Sequence, residues 1–253
     1  MKISFMTFSC PGRELEEIPR FARRAGYDGV EMRVDAGHKH GISSQSSYRD
    51  RLNAKKLFQR EGIEIAAIAT SIRFAYTDPV KRLEVLKKAK ENIILASHLE
   101  AKIVRIFAGD QDSHEVTPEI ARILGDCFSE AGDFAEKLGV IPVLETGHDI
   151  MKGKEEALAV IEHIRTSNFG ILWNHADMTS DFFNALKDDM KHFHIHHNDV
   201  YGEQSDKIRI LASFMKQVDY NGYISLEIIS EKGMEDHELI KIANTWNQQI
   251  SEG

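Results

Sequence analysis

The sequence predicts an α/β fold, a single-domain (β/α)8 TIM barrel over residues 1–253. Short β-branched or aromatic runs alternate with longer amphipathic segments eight times along the chain, which argues for a parallel sheet with helices outside it. A length of 253 residues is the usual size of such a barrel. The turn after the first run, Ser9-Cys10-Pro11-Gly12-Arg13, lacks the glycine fingerprint by which an open doubly wound sheet binds a dinucleotide.

The predicted strands are Ile3–Ser9, Gly29–Arg33, Ile63–Ser71, Lys102–Gly109, Val140–Thr146, Phe169–His175, His192–Asn198 and Gly222–Ile229. Each is short and rich in Val, Ile, Phe or Trp, residues that fit a pleated, buried surface. The helix Glu14–Ala25 stops at Gly26 and Tyr48–Arg60 stops before Gly62, since glycine accepts the left-handed conformation that closes a helix. Pro79–Leu99 opens with Asp78 as N-cap and proline at its first position. Thr117-Pro118 opens the next helix in the same way, and Gly139 closes it. Lys154–Arg165, Asp181–Met190, Lys207–Val218 and Glu235–Gln249 complete the alternation. Val34–Ser47 is the longest irregular piece and is expected to lie over one barrel mouth. No composition shift marks a second domain.

Composition excludes several function classes. Apolar residues at 42% rule out global disorder, because enough side chain is available to offset chain entropy. Cys10 and Cys127 cannot staple so long a chain, and they point to a reducing compartment, the cytoplasm. With 32 basic against 40 acidic residues the formal charge is -8, so duplex nucleic acid is repelled. The longest basic cluster, Lys87, Lys88 and Lys90, is diluted by Glu84 and Glu91 on a helical face. No apolar stretch is long enough to span a membrane, and no secretory signal is evident at the start.

Polar residues gather where strands end. Strand two ends in Glu31 and Arg33, strand four carries Arg105, and strand five ends in Glu145, with His148 and Asp149 after it. Strand six ends in Asn174-His175-Ala176-Asp177, strand seven reads His192-Phe193-His194-Ile195-His196-His197-Asn198-Asp199, and strand eight ends in Glu227. Active sites of barrels form at the C-terminal strand ends. Strand alternation places Val143 with Glu145, Leu172 with Asn174, His194 with His196, and Ser225 with Glu227. A consistent assignment turns Glu145, Asn174, His196 and Glu227 inward together. Inward carboxylates carry a heavy desolvation cost without a cation. This oxygen-plus-nitrogen set suits Mn²⁺, Mg²⁺ or Co²⁺ better than a structural zinc site.

The order of these motifs resembles the xylose isomerase-like TIM barrels, the sugar phosphate isomerase/epimerase or AP endonuclease family 2 group. The residues that carry the resemblance are Gly26-Tyr27-Asp28-Gly29-Val30-Glu31, Val104-Arg105-Ile106-Phe107-Ala108-Gly109, Val143-Leu144-Glu145-Thr146, His196-His197-Asn198-Asp199 and Asn221-Gly222-Tyr223-Ile224-Ser225-Leu226-Glu227. The resemblance implies one divalent ion, Mn²⁺, Mg²⁺, Co²⁺ or Zn²⁺, held by Glu145, Asn174, His196 and Glu227, with Glu145 and Glu227 also as the catalytic acid/base pair. Asn174 and Asp177 stand where the family has Asp and His. Candidate substrate contacts are Arg105, His148, Glu31, His38, His40, His175 and Asp177. Phe74, Tyr76 and Trp173 are either core or apolar walls for a sugar.

The implied activity is a metal-dependent isomerase or epimerase of a small sugar or sugar derivative, working by proton transfer next to a metal-bound carbonyl. A dehydratase acting on a polyol or cyclic hydroxy-ketone at the same site, or a catalytically degenerate sugar-binding barrel, are the alternatives. The expected partner is a small carbohydrate, with no nucleic acid and no membrane, and the family implies a homodimer or homotetramer. DNA cleavage is disfavoured, since strands three and four end Ala69-Thr70-Ser71 and Ala108-Gly109-Asp110 without the extra histidines it needs.

Overall fold

The computed structural model describes residues 1–174, 179–201, 206–230 and 232–252. Eight parallel strands pair in sequence order and close into a barrel. They are β1 (Lys2–Met6), β2 (Gly29–Arg33), β3 (Glu64–Arg73), β4 (Ile103–Phe107), β5 (Ile141–Glu145), β6 (Gly170–Trp173), β7 (Met190–Ile195) and β8 (Tyr223–Leu226). Among the described residues the helices are α1 (Glu17–Ala25), α2 (Tyr48–Glu61), α3 (Pro79–Leu99), α4 (Pro118–Glu136), α5 (Lys154–Ile161), α6 (Ser180–Leu186), α7 (His197–Val200), α8 (Asp206–Gln217) and α9 (Asp236–Glu252). The (β/α)8 expectation holds. Among the described residues no helix is long and apolar enough to cross a membrane.

Local chemistry sets the helix ends. The side chains of Ser47, Asp78 and Thr117 accept the backbone N–H of Asp50, Val80 and Ile120, which satisfies donors that have no partner within the helix. Gly26 and Gly62 end α1 and α2 at positive φ, 84° and 69°. Helix α4 departs from the expected glycine stop, ending at Glu136 before Gly139.

Strand seven also departs. It was expected to run to Asn198, but β7 ends at Ile195 and a short helical turn, His197–Val200, follows. Asp199 accepts the backbone N–H of His196 at 2.8 Å through Oδ2 and pairs with Lys207 Nζ at 3.0 Å through Oδ1. This buried pair turns the chain, and strand alternation lapses at His196.

The barrel interior has two unlike halves. Ala67, Ile103, Val143 and Leu172 fill the side of β3 to β6 with apolar groups. On the side of β7, β8, β1 and β2, Ser4, Glu31, His192, His194 and Ser225 are all buried. Helices pack outside on Phe21, Phe58, Phe128, Phe183 and Trp246. Cys10 and Cys127 are buried and unpaired, and burial pushes both thiols up to about 12.

Candidate active site

Glu145 closes β5, and Glu227 follows β8, where its N–H donates to the Ile195 carbonyl at 2.8 Å. Asn174 follows β6. Its Nδ2 lies 2.7 Å from Glu145 Oε1, 2.8 Å from Glu227 Oε2 and 3.1 Å from His148 Nε2. An amide nitrogen has two hydrogens, so these acceptors outnumber its protons. Asn174 Oδ1 accepts from His196 Nε2 at 2.7 Å. The strand ends therefore bring Glu145, Asn174, His196 and Glu227 together.

The imidazole that faces both carboxylates is that of His194. Its Nδ1 stands 3.4 Å from Glu145 Oε1 and 3.4 Å from Glu227 Oε2, and it has no hydrogen bond. His196 stands outside it, half exposed, with Nδ1 against the Glu227 carbonyl at 3.1 Å and Nε2 3.9 Å from Glu227 Oε2. The alternation that placed His194 and His196 on one face was the available signal. What was missing was the end of β7 between them.

Beneath the mouth, Glu31 has no exposed surface. Its carboxylate accepts from His192 Nε2 at 2.8 Å and lies 3.1 and 3.2 Å from His194 Nε2. His192 Nε2 also meets Ser225 Oγ at 3.1 Å, and Ser225 pairs with Ser4 at 2.6 Å. Arg105 is equally enclosed. Its Nη1 is 3.1 Å from Glu145 Oε2, and its guanidinium lies 4.0 Å from the Phe107 ring centroid. Glu31 and Arg105 thus stand below and behind the carboxylates, away from the opening.

Charges decide how these groups titrate. Burial raises the Glu31 carboxyl, but His194 and His192 outweigh it and hold the group well below the usual range. Burial likewise opposes ionisation of Glu145, and Arg105 and His194 win. Glu227 is held down to about 2, because the His194 charge outweighs burial, helped by Arg105 and His196. Burial lowers His194, yet Glu31, Glu227 and Glu145 together hold it well above its ordinary value. Opposite charges inside a dry barrel set these directions.

The remaining candidates lie around the rim. His148 is partly exposed and sits edge-on to Phe107, ring centroids 5.7 Å apart. His38 sits 3.4 Å from Thr7 Oγ1. His175 and Asp177 lie outside the described residues. Arg33 is buried, donating to the carbonyls of Val34 and Ala69 at 2.5 and 3.1 Å, and burial together with Arg105 lowers it to about 10. Phe74 and Trp173 are core; Tyr76 is half-buried at the rim.

His40 is buried and holds the loop after β2. Its Nδ1 accepts from Ile42 N–H at 3.1 Å, so Nε2 carries the proton and donates to the Arg33 carbonyl at 3.0 Å. Burial, with His38 beside it, lowers His40 from 6.5 to about 4. The neutral form is therefore the folded form. Its contribution to stability is complete above pH 6.5 and is lost as pH falls towards 4, about 3 kcal/mol at most. His40→Gln keeps an acceptor and a donor without that titration. Urea midpoints at pH 7, 5 and 4 are expected to fall less steeply in the variant; parallel curves would show that His40 does not set the acid limb.

Glu145, His194 and Glu227 each offer one ligand atom, all within 4.8 Å of one another, and Glu31, His192 and His194 form a second such trio. The inner trio is occupied by its own hydrogen bonds. The outer one fits a divalent ion: two carboxylate oxygens and an unbonded buried imidazole nitrogen converge there. A proton on His194 Nδ1 and a cation are alternative ways to neutralise the same carboxylates. Asn174 presents nitrogen to this point, so its oxygen becomes a ligand only when the amide turns over.

A closed barrel whose C-terminal mouth gathers carboxylates, imidazoles and an amide is a (β/α)8 protein with a candidate acid–base and metal centre. The chain belongs to the xylose isomerase-like TIM barrel family, whose model matches residues 19–250. Among solved structures it is similar to a D-psicose 3-epimerase crystallised with D-fructose, at 12% identity and TM-score 0.81, covering 98% of this chain and 97% of that one. It is similar to the probable 3-DHS dehydratase AsbF of Bacillus anthracis, at 16% identity and TM-score 0.76, covering 98% and 99%. It is also similar to the IOLI protein with a bound zinc atom, at 19% identity and TM-score 0.78, covering 100% and 99%. A search of curated protein sequences finds no significant match.

Proposed function

We propose that this protein is a sugar epimerase or isomerase that moves a proton on the carbon next to a carbonyl. The observation that carries this is the convergence of Glu145 and Glu227, from opposite sides of β6 and β7, on Asn174 Nδ2 and His194 Nδ1 at 2.7 to 3.4 Å. Two carboxylates flanking one point can take a proton from a carbon and return one to it. Return to the opposite face inverts the centre; return to the neighbouring carbon moves the carbonyl.

Glu145, Glu227 and His194 would hold a divalent ion, with Asn174 as a further oxygen ligand. Such an ion supplies Lewis-acid polarisation of a substrate carbonyl. The chain's own residues do the rest. Glu145 faces the Arg105 guanidinium with one oxygen, an ion pair without a hydrogen bond, and Asn174 at the mouth with the other. Glu31 fixes the ring of His194 from below. His148 and His196, at the rim, contact substrate hydroxyls, and His38 lies farther along the same face. The similar D-psicose 3-epimerase, crystallised in the presence of D-fructose, supports this class of substrate.

The test is incubation with a panel of ketoses in D2O, with Mn²⁺, Mg²⁺, Co²⁺ or Zn²⁺. Deuterium should enter one carbon of a retained skeleton. Exchange on no ketose with any metal would sink the reading, whereas loss of water with new ultraviolet absorbance would assign a dehydratase. Asn174→Asp bears on the ligand set. It replaces the bridging amide with a third carboxylate, so the metal-free protein is expected to lose stability and Mn²⁺ to bind at least about tenfold tighter. Calorimetric titration with Mn²⁺ checks this; unchanged affinity would remove residue 174 from the ligands.

A further inference from the structure

A cavity of about 490 Å3 opens on the C-terminal face between the end of β3, the loop after β2 and the flank of α3. Small-molecule pockets run from about 300 to 1,000 Å3. Its wall includes Asp35, Gln45, Arg73, Tyr76, Lys88 and Asn92, and none of Glu145, Asn174, His194 and Glu227 lines it. It is nevertheless joined to them. The guanidiniums of Arg73 and Arg105 lie 5.0 and 4.0 Å from the centroid of the same Phe107 ring, and Arg105 touches Glu145. One stack of side chains separates the cavity from the carboxylates.

Two buried polar atoms in this wall lack a hydrogen-bond partner, Asn92 Oδ1 and Arg73 Nε. Asn92 is 2% exposed. Its Nδ2 donates to Asp35 Oδ2 at 3.3 Å and to the Lys88 carbonyl at 3.1 Å, which fixes the amide with Oδ1 left over. Arg73 Nε is 3.6 Å from Asp149 Oδ2, too long for a hydrogen bond. An acceptor and a donor left over in one wall match a hydroxyl group, which both donates and accepts. The carboxylates of Asp35 and Glu91 oppose an anion, and Arg73 and Lys88 oppose a cation. Tyr76 offers an apolar ring face with a polar tip. The balance selects a neutral polyhydroxylated group.

We propose that this cavity is a second subsite, which holds a hydroxylated moiety continuing beyond the reacting carbons. The substrate is then a ketose that carries a further neutral hydroxylated moiety, such as a glycosidically linked one, and not a sugar phosphate. This rests on the sugar reading of the Glu145 and Glu227 site.

Ile72 and Val85 line the cavity and report on it. With the whole chain labelled at isoleucine and valine methyl groups, methyl glucosides, galactosides and mannosides are titrated without metal. At least one is expected to shift both methyls saturably. Gln45→Trp, which puts an indole into the cavity from an exposed loop position, should weaken that binding at least tenfold while distant methyls stay in place. Inorganic phosphate should leave both signals unmoved. The proposal is overturned if no glycoside shifts them, if Gln45→Trp binds as well as wild type, or if phosphate binds more tightly than every glycoside. The readout needs neither turnover nor metal. Shifts without ketose exchange would keep the subsite and lose the epimerase reading; exchange with a silent cavity would do the reverse.

Discussion

Glu145→Gln is expected to lower both turnover and stability, whereas Glu227→Gln should lower turnover with little loss of stability. The difference lies behind the carboxylates. Glu145 Oε2 sits 3.1 Å from Arg105 Nη1, with side-chain exposures of 0% and 1%. Among the described residues Glu145 is the carboxylate paired with Arg105. A neutral amide there strands a buried guanidinium, and breaking such a pair from one side costs about 3–5 kcal/mol. Glu227 is paired instead with His194, which keeps Glu31 and Glu145 when Glu227 is gone. Its replacement should cost about 1 kcal/mol. Either variant should lose roughly 10² to 10⁴ in kcat, the span for a general acid or base. Urea denaturation and steady-state rates on the same preparations separate the two effects. Adding Arg105→Met to Glu145→Gln should restore part of the stability but none of the rate, because the stranded charge is removed and the missing carboxylate is not. Equal stability of the two single variants would dismiss the buried pair, and a kcat within tenfold of wild type in Glu227→Gln would take Glu227 out of the chemistry.

Much of this arrangement is legible from residue order. Strand β2 has the predicted bounds Gly29–Arg33, and α3 has the predicted Pro79–Leu99 behind its Asp78 cap. Glu145 and Glu227 reach one point because each ends an alternating run whose preceding partner, Val143 or Ser225, faces the interior. Period-two reasoning holds only while the strand lasts. The His-Phe-His-Ile-His-His run carries its alternating histidines past Ile195 to His196, while the turn that ends β7 depends on Asp199 and on Lys207, which comes from a later helix. That pairing is tertiary and leaves no mark in the local pattern. The depth of a residue along a strand is equally hard to read. Glu31 and Arg105 look like rim residues in sequence, but barrel stagger sets β2 and β4 so that both lie under the mouth.

Depth also explains why Glu31→Ala should be as damaging as Glu145→Gln, although Glu31 lies below the opening. Glu31 accepts from His192 at 2.8 Å and pairs with His194 at 3.1 Å, all three buried. Without it, His192 keeps only Ser225 from this network, at 3.1 Å. His194 then has nothing to hold Nε2 in place, so the direction of Nδ1 towards Glu145 and Glu227 is no longer set. Loss of a buried counter-ion costs about 3–5 kcal/mol, or roughly 10 °C in Tm for a chain of this size. Glu31→Gln keeps one acceptor oxygen and should fall between the variant and wild type. Combining Glu31→Ala with His192→Leu should cost less than the sum of the two, with a coupling of about 1–3 kcal/mol, because both remove the same contact. Turnover should fall with the orientation of His194, more in Glu31→Ala than in Glu31→Gln, and Mn²⁺ affinity should fall in the same order. Strict additivity with His192→Leu would show that the two side chains do not act through one bond. A stable Glu31→Ala protein with undiminished Mn²⁺ binding would show that the ring of His194 is held by the barrel wall alone.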